Sequence, residues 1–199
     1  MILKNYNWSF ERCLPLNFCD DVIKYAKEQK FMSGRIGGKK NIDLNTDELD
    51  YKRKSEIVWL KEPWVHRHLT PFVSRANKNA GWNFEYHRHE PIQFTKYVDN
   101  GHYGWHSDMD DEPYNNINTD WSFGRIRKIS ITIPLVNGSE YEGGDFVIKN
   151  PFGDEIVIKE ARKKGSVIVF PSFLLHKVTP VTAGTRYSLV MWTLGWPFN

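Results

Sequence analysis

The sequence predicts a mainly β jelly roll with supporting helices in its N-terminal part, an α+β arrangement. Helical periodicity is confined to the chain before residue 81, and short strand-like segments bounded by Gly, Pro, Asn and Asp follow from residue 92. These eight segments are residues 92–98, 103–108, 127–136, 144–149, 155–158, 165–170, 175–180 and 185–194. Many short strands in one unit are typical of two antiparallel sheets packed as a jelly roll.

The first predicted helix covers residues 17–31. Asn17 is a suitable N-cap, because its side-chain oxygen can accept a hydrogen bond from a free backbone N–H of the first turn. Asp20 and Asp21 suit the positive end of the helix dipole, and apolar residues recur at helical spacing. We expect this helix to pack on a sheet.

A short strand is predicted over residues 55–60 and a second helix over residues 63–80. Pro63 fits the first helical turn, where its missing N–H costs nothing, and Gly81 follows the predicted end.

Two polar segments lie outside these elements. Residues 33–55 are rich in glycine and mixed charges, so they are either a solvated loop or a lid over a substrate. Residues 109–126, rich in Asp and Asn, are either a structural loop or a loop that grips a substrate.

The composition predicts one domain over residues 1–199, with a helical and lid-forming part at 1–90 and a jelly-roll core at 91–195, because no linker-like stretch divides the chain. No apolar run is long enough to span a membrane, and the first residues lack the pattern of a signal peptide. Cys13 and Cys19 form no metal or disulfide motif. We therefore expect a cytoplasmic protein.

The formal net charge of +3 is mild, and no dense stripe of Lys and Arg accompanies it. Nucleic acid is therefore not an expected partner.

The chemistry is predicted at two distant segments. His106 and Asp108 are two residues apart in Tyr-Gly-Trp-His-Ser-Asp, so on a strand both would point to one face. A distant histidine such as His176 would complete a set of two imidazoles and one carboxylate, which suits non-haem Fe(II). Arg186 follows in a strand-like run and could anchor a carboxylate in the same cavity.

Other histidine pairs occur at positions 66 and 68 and at positions 87 and 89. The first pair points in different directions on a helix, and the second has no carboxylate nearby in the sequence. Both pairs are interpreted as structural.

Together these motifs resemble the iron and 2-oxoglutarate dependent oxygenases, and among them the prolyl 4-hydroxylase-like group. The resemblance extends from about residue 92 to residue 192 and rests on several spaced motifs in one order. They are the segments 93–97, 103–108, 127–135, 141–145, 164–171 and 176–186. It implies the double-stranded β-helix form of the jelly roll, which is cupin-like.

The resemblance also implies roles for particular residues. His106, Asp108 and His176 match the iron ligands, and Arg186 matches the residue that binds the distal carboxylate of 2-oxoglutarate. Tyr97 matches a tyrosine that contacts this cosubstrate. Matches that flank or line the substrate pocket are Tyr103, Arg127 and Trp192. Tyr97 and these three residues could equally be core aromatics or, for Arg127, an ion-paired arginine.

This sequence departs from the family at Pro134 and Phe146, where several relatives have a tyrosine and a threonine that also contact the distal carboxylate. Arg186 and Tyr97 are therefore left with more of the anchoring.

The implied reaction uses Fe(II), 2-oxoglutarate and O2, with ascorbate as a candidate reductant, and yields succinate, CO2 and a hydroxylated substrate. The first hypothesis is hydroxylation of prolyl residues in a peptide or protein. The alternatives are hydroxylation of a free amino acid or other small molecule, a non-catalytic jelly-roll binding module, or a zinc hydrolase with the same ligands. Arg186 disfavours the last two, because neither needs a buried cation for a carboxylate.

Overall fold

The computed structural model describes residues 3–34, 52–115 and 121–198. These ranges contain fifteen strands, two α-helices and one short 3-10 helix at Lys159–Arg162. In chain order, the strands and α-helices are β1 (Trp8–Phe10), α1 (Leu16–Lys27), β2 (Met32–Ser33), β3 (Arg53–Lys54), β4 (Glu56–Leu60), α2 (Pro63–Asn79), β5 (Arg88–His89), β6 (Ile92–Tyr97), β7 (His102–His106), β8 (Ile126–Pro134), β9 (Tyr141–Gly143), β10 (Phe146–Lys149), β11 (Glu155–Val157), β12 (Val167–Pro171), β13 (His176–Val178), β14 (Val181–Gly184) and β15 (Arg186–Gly195). Neither described α-helix is long and apolar enough to cross a bilayer.

Two antiparallel sheets form most of the fold. Within the described ranges, the large sheet has eight strands in the order β1-β12-β8-β15-β6-β4-β2, with β5 paired to β15. The small sheet has five, in the order β11-β10-β13-β7-β3. Phe146 of the small sheet contacts Phe170 of the large one, with ring centroids 5.3 Å apart, so the sheets face each other. The predicted mainly β jelly roll is confirmed.

The large sheet is buried on both faces, and β12 shows how its sequence achieves this. Val167 and Val169 pack with helix residues in one core, whereas Ile168 and Phe170 belong to a second core between the sheets. Because successive side chains of a strand point to opposite faces, a continuous apolar run is what a strand between two layers requires.

Side chains of strand β8 also alternate between the two faces of the sheet, but those on one face are polar. Ile129, Ile131 and Ile133 lie in the core beneath the helices and are fully buried. The intervening Ser130 and Thr132 lie on the other face, towards the small sheet. Polar side chains within an apolar strand thus reach the space between the sheets, where the candidate site lies.

The first predicted helix is present but displaced. Helix α1 begins at Leu16 after Pro15, which occupies the N-cap without a side-chain hydrogen bond, so Asn17 is not the cap. The helix ends at Lys27, after which the N–H of Glu28 donates to the Tyr25 carbonyl and the N–H of Gln29 donates to the Ala26 carbonyl. Asp20 lies beyond the first turn and pairs with Lys164, a tertiary contact rather than a dipole effect.

The second helix and the strand at residues 55–60 are confirmed as α2 and β4. Pro63 lies in the first turn as predicted, and α2 continues past an internal Pro71. The predicted loop at residues 33–55 instead contributes two-residue strands at both ends, β2 and β3, which pair with β4 and β7. The rest of its proposed lid lies outside the described residues, as do residues 116–120 of the second polar segment.

Candidate active site

The three predicted metal ligands meet between the two sheets. His106 ends β7 and is the cross-strand partner of His176 on β13. Ligand atoms of these two histidines and Asp108 all lie within 4.8 Å of one another. In the part of the chain that the structure describes, this is the one group of His, Cys, Asp and Glu residues with such spacing.

The backbone that brings Asp108 into this group is not the strand that the sequence predicted. Strand β7 ends at His106, so the two residues do not share one regular strand. The backbone N–H of Asp108 donates to the carbonyl of Ser172, 3.0 Å away, and this fixes the turn after β7. The connection between β12 and β13 therefore positions the carboxylate.

Both imidazoles are oriented by the backbone two residues before them. The Nδ1 atom of His106 lies 2.8 Å from the Gly104 carbonyl, and that of His176 lies 2.9 Å from the Leu174 carbonyl. Since a carbonyl can only accept, each Nδ1 carries the proton and donates it. Each Nε2 is left with a lone pair, and both lie close to Asp108, at 3.7 Å and 3.5 Å from its oxygens.

The protonation states suit a divalent cation. Burial, together with the neighbouring His176, lowers the pKa of His106 to about 3, so this imidazole is neutral. Burial acts to raise the pKa of Asp108, but His176 and His106 outweigh it, and the pKa is lowered. The group therefore presents a neutral His106 imidazole and an ionised carboxylate, which are forms that bind metal.

Two serines that sequence reasoning missed hold this carboxylate. Ser130 Oγ donates to Asp108 Oδ2 at 2.7 Å and lies 2.8 Å from the hydroxyl of Ser172. Both serines are fully buried. Partners of this kind orient a ligand and tune it. Ser130 was detectable as a polar residue between the isoleucines of β8, but nothing in the sequence connected it to Asp108.

Arg186 lies at the closed end of the same cavity. It is 1% exposed, and its cross-strand partner on β6 is Tyr97. The guanidinium carbon is 5.3 Å from the Tyr97 ring centroid, and Nη1 donates to Ser188 Oγ at 3.1 Å. Nε has no hydrogen-bond partner among the described residues, and none of the ion pairs found there involves Arg186. The site therefore contains a buried cation with no anionic partner among the residues that the structure describes.

Gly144 makes room for this arginine. It adopts φ +64°, and a Cβ on it would lie 3.0 Å from the Arg186 Cδ. The Gly-Gly pair at 143–144 thus lets the chain pass close to the guanidinium stem. Phe146, one of the two family departures, lines the cavity near this end, whereas Pro134 lies beside Ser188 in the sheet.

Tyr103 stacks on a candidate ligand. Its ring centroid is 3.5 Å from that of His106, with the planes 11° apart. Arg53 covers the ring with its guanidinium carbon 4.4 Å from the centroid. Burial raises the pKa of Tyr103 to about 12, so its hydroxyl keeps its proton. Arg53 was missed because it comes from β3, within a segment predicted to be a loop.

Arg127 and Trp192 both line the cavity, but the fork of Arg127 is occupied. Its Nε and Nη2 each donate to an oxygen of Glu90 at 2.7 Å, a two-pronged and largely buried ion pair. Its guanidinium carbon lies 3.9 Å from the Trp192 ring centroid. Tyr114 donates a further hydrogen bond to Glu90 at 3.2 Å, which connects the loop after the ligand pair to this wall.

This pairing predicts a stability effect. Removing one partner of a buried ion pair typically costs about 3–5 kcal/mol, since the other charge is left without compensation. We expect Arg127→Gln to lower the free energy of unfolding by that order, and the double variant with Glu90→Gln to lose less than the sum of the two single changes. Urea denaturation measures both, with exposed Arg88→Gln and Glu85→Gln as controls. Additive losses would show that the two side chains act independently.

The cavity has a volume of about 190 Å³. It runs from the buried Arg186 to Trp59, which is 38% exposed. Its lining residues come from both sheets and from the turn after β7; they are Arg53, Trp59, Gln93, Tyr97, Tyr103, His106, Ser107, Asp108, Asp110, Arg127, Thr132, Phe146, Phe170, His176, Val178, Arg186, Ser188, Val190 and Trp192. All eight residues predicted for the site line it.

The other histidine pairs form no such group among the described residues. His89 instead lies 2.9 Å from Thr193 Oγ1 in a hydrogen bond, and burial, with a contribution from His66, lowers its pKa from 6.5 to about 4.

This depressed pKa predicts a pH effect. Between pH 6.5 and 4 the unfolded chain protonates His89 and the folded chain does not. Stability is therefore lost as the pH falls through this window, by at most about 2 kcal/mol at pH 5 from this group. We expect His89→Gln to reduce the loss in unfolding free energy between pH 7 and 5, and the more exposed His87→Gln to leave it unchanged. Equal pH slopes in wild type and His89→Gln would contradict the assignment.

Comparison with known protein families assigns the chain to a class. The sequence profile of the 2OG-Fe(II) oxygenase superfamily matches residues 92–194, more than half of the chain. The chain therefore belongs to this superfamily, as the motifs predicted.

The chain is also similar to individual members of the superfamily. A PKHD-type hydroxylase of Cupriavidus metallidurans is 28% identical over 188 residues, which cover 90% of this chain and 75% of the relative. A PKHD-type hydroxylase of Delftia acidovorans is 37% identical over 105 residues, covering 52% of this chain and 42% of that relative. The chain thus matches less than half the length of several curated relatives.

Solved structures agree on the fold. A prolyl-4-hydroxylase from Pseudomonas putida superposes with a TM-score of 0.68 over 96% of this chain and 93% of its own, at 17% identity. A Trichoplax adhaerens prolyl hydroxylase, solved with a hypoxia inducible factor peptide fragment, gives a TM-score of 0.69 over 96% and 84%, at 18% identity. These similarities confirm the double-stranded β-helix fold predicted from the resemblance.

Proposed function

We propose that this protein is a dioxygenase that uses Fe(II), 2-oxoglutarate and O2 to hydroxylate a C–H bond. One cavity contains both the group His106, Asp108 and His176 and a buried Arg186 that has no anionic partner among the described residues. This combination is the main support for the proposal. A metal site alone would not need the cation. A binding module would need neither.

The residues fit the cofactors that the family uses. Two imidazoles and a carboxylate on one face of a metal leave other positions for ligands, an arrangement that suits non-haem Fe(II). Arg186 and Tyr97 would hold the distal carboxylate of 2-oxoglutarate, since a guanidinium in a desolvated pocket favours a planar anion. When bound, the metal and this cosubstrate supply O2 activation, with release of succinate and CO2. Ascorbate is the proposed reductant that keeps the iron as Fe(II).

The chain itself supplies orientation and shielding. Ser130 holds the Asp108 carboxylate, and the backbone carbonyls behind the imidazoles fix their direction. Phe146 and Phe170, both almost fully buried, exclude water from the side of the ligand group nearest the core. The substrate must enter from the exposed end, beside Trp59, so its reactive carbon can be presented to the metal from that direction.

For the substrate, we propose prolyl residues of a peptide or protein. Support comes from the two indole rings of the cavity lining, Trp59 and Trp192; Trp59 is 38% exposed and offers ring surface to an apolar pyrrolidine. The structural likeness to proteins titled prolyl hydroxylases is consistent with this choice. A free amino acid or another small molecule is the competing substrate.

The experiment is a coupled measurement of cosubstrate and product. Purified protein with Fe(II), ascorbate and 2-oxoglutarate is assayed for succinate, with and without acetylated proline-containing peptides, and the peptides are examined by mass spectrometry. We expect succinate formation that peptide stimulates and the gain of one oxygen atom on proline. A product from free amino acids but from no peptide would favour the small-molecule alternative. Absence of succinate under all conditions would contradict a dioxygenase.

A further inference from the structure

One charged group at the open end of the cavity has no role in the chemistry proposed above. Asp110 lines the cavity two residues after Asp108 and is half-buried. It is not part of the candidate ligand group. No hydrogen bond or ion pair of its carboxylate is found among the described residues.

The cations that line the same cavity have other partners. The fork of Arg127 is held by both oxygens of Glu90, so this pair is neutral as a unit. Arg53 lies on the Tyr103 ring and donates from Nε to Ser55 Oγ at 2.9 Å. Arg186 lies at the opposite, closed end. Asp110 therefore adds a negative charge to the cavity lining that forms no ion pair among the described residues, although the charge of Arg127 lies close enough to act on its carboxyl group.

Aromatic surface lies at this end too. Trp59 is 38% exposed, and its ring centroid is 6.0 Å from that of Trp192. Arg127 already lies over the Trp192 ring, which leaves Trp59 as the more accessible indole. A carboxylate and an indole face are the two groups that attract an ammonium or guanidinium ion, through charge-assisted hydrogen bonding and cation–π attraction.

We propose that Asp110 recognises a cationic nitrogen of the substrate and so selects substrates that carry a lysine or arginine side chain, or a free amino group, near the oxidised carbon. The proposal rests on the proposed function and names its substrate class more closely. Asp110 determines substrate specificity in this proposal, because it contacts the substrate, whereas the three candidate ligands bind the metal. Trp59 provides the apolar surface along which the alkyl stem of such a side chain packs.

Binding without turnover tests this directly. Protein loaded with Mn(II) and 2-oxoglutarate is titrated with acetylated peptides in which one proline is flanked by lysine, glutamine or glutamate, and with L-lysine and L-norleucine. We expect the lysine peptide to bind about tenfold more tightly than the glutamine peptide, a difference of roughly 1.4 kcal/mol, and the glutamate peptide to bind most weakly. Preference for L-lysine over L-norleucine, without any peptide preference, would identify a free amino acid as the source of the cation.

Variants assign the preference to one side chain. Asp110→Asn keeps the shape and removes the charge, so the lysine and glutamine peptides should bind equally. Asp111→Asn, an exposed neighbour with the same change, should keep the wild-type preference. Asp110→Lys should favour the glutamate peptide, which shows that the variant protein is folded and that the position senses charge.

Two results would overturn the inference: a wild type whose binding of every probe is independent of charge or undetectable, and an Asp110→Asn variant that keeps the preference for lysine. The dioxygenase proposal is tested separately, by comparing succinate formation by the wild type with that by His176→Ala. If the wild type forms succinate but binds substrates regardless of their charge, only the proposed role of Asp110 is refuted.

Discussion

Replacing Asp108 with alanine is expected to abolish turnover of 2-oxoglutarate while the protein remains folded. The carboxylate is one of three candidate protein ligands, and it is the only anionic one. Changing the partners of a metal ligand already costs about 10–100-fold in affinity or activity, so losing the ligand itself should cost more than about a hundredfold. The fold should survive, because the two cores beside the site are apolar.

The measurement is Fe(II) or Mn(II) affinity by equilibrium dialysis together with succinate formation. Asp111→Ala and His102→Ala are matched controls, since both residues lie near the ligands in sequence but outside the cavity lining. Ser130→Ala should give an intermediate loss, because Asp108 keeps its charge but loses the hydroxyl that orients it. Wild-type turnover in Asp108→Ala would refute the metal assignment.

The second large effect is expected at Arg186. Arg186→Ala removes the cation that is proposed to pair with the distal carboxylate of 2-oxoglutarate. Breaking a buried ion pair from one side costs about 3–5 kcal/mol. At about 1.4 kcal/mol per tenfold, the affinity for 2-oxoglutarate should fall by about two to three orders of magnitude. Metal binding should change little, because Arg186 is not among the candidate metal ligands.

Anaerobic titration of the Fe(II)-loaded protein with 2-oxoglutarate measures this affinity through the metal-to-ligand charge-transfer absorption. Arg186→Lys should recover part of the loss, since it keeps the charge but lacks the planar fork. If Arg186→Ala binds 2-oxoglutarate as tightly as wild type, Arg53 and Arg127 are the remaining cations of the described lining. Lys128 and Lys177, near the site motifs in sequence, are not in that lining; Lys177 pairs with Glu155 instead.

Local patterns in the sequence determined the β class, the order of the eight core strands and the identity of the candidate chemical groups. This was possible because strand periodicity and turn residues are readable over a few residues, and because His106 and Asp108 lie two residues apart and His176 and Arg186 ten residues apart. Boundaries were less predictable. Helix α1 starts at Leu16 because Pro15 fixes the backbone there. It ends at Lys27, where the Tyr25 carbonyl accepts a hydrogen bond from the N–H of Glu28.

Contacts between distant segments could only be decided by the tertiary structure. Glu90 meets Arg127 because β5 and β8 flank the same strand, β15, and the N–H of Glu90 is held by the Trp192 carbonyl. The sequence left Arg127 either ion-paired or in the substrate pocket. The structure shows its ion pair with Glu90 and places it in the lining of the cavity.

The same reason explains what the sequence did not disclose about the site. Ser130 reaches the Asp108 carboxylate from β8, Ser172 accepts the Asp108 N–H from the connection after β12, and Arg53 reaches Tyr103 from the edge of the small sheet. The sequence by itself determined which residues could bind a metal and an anion. The pairing of β7 with β13, and the packing of the two sheets around Arg186, decided that they lie in one cavity, because hydrogen bonding and burial act between segments far apart in the chain.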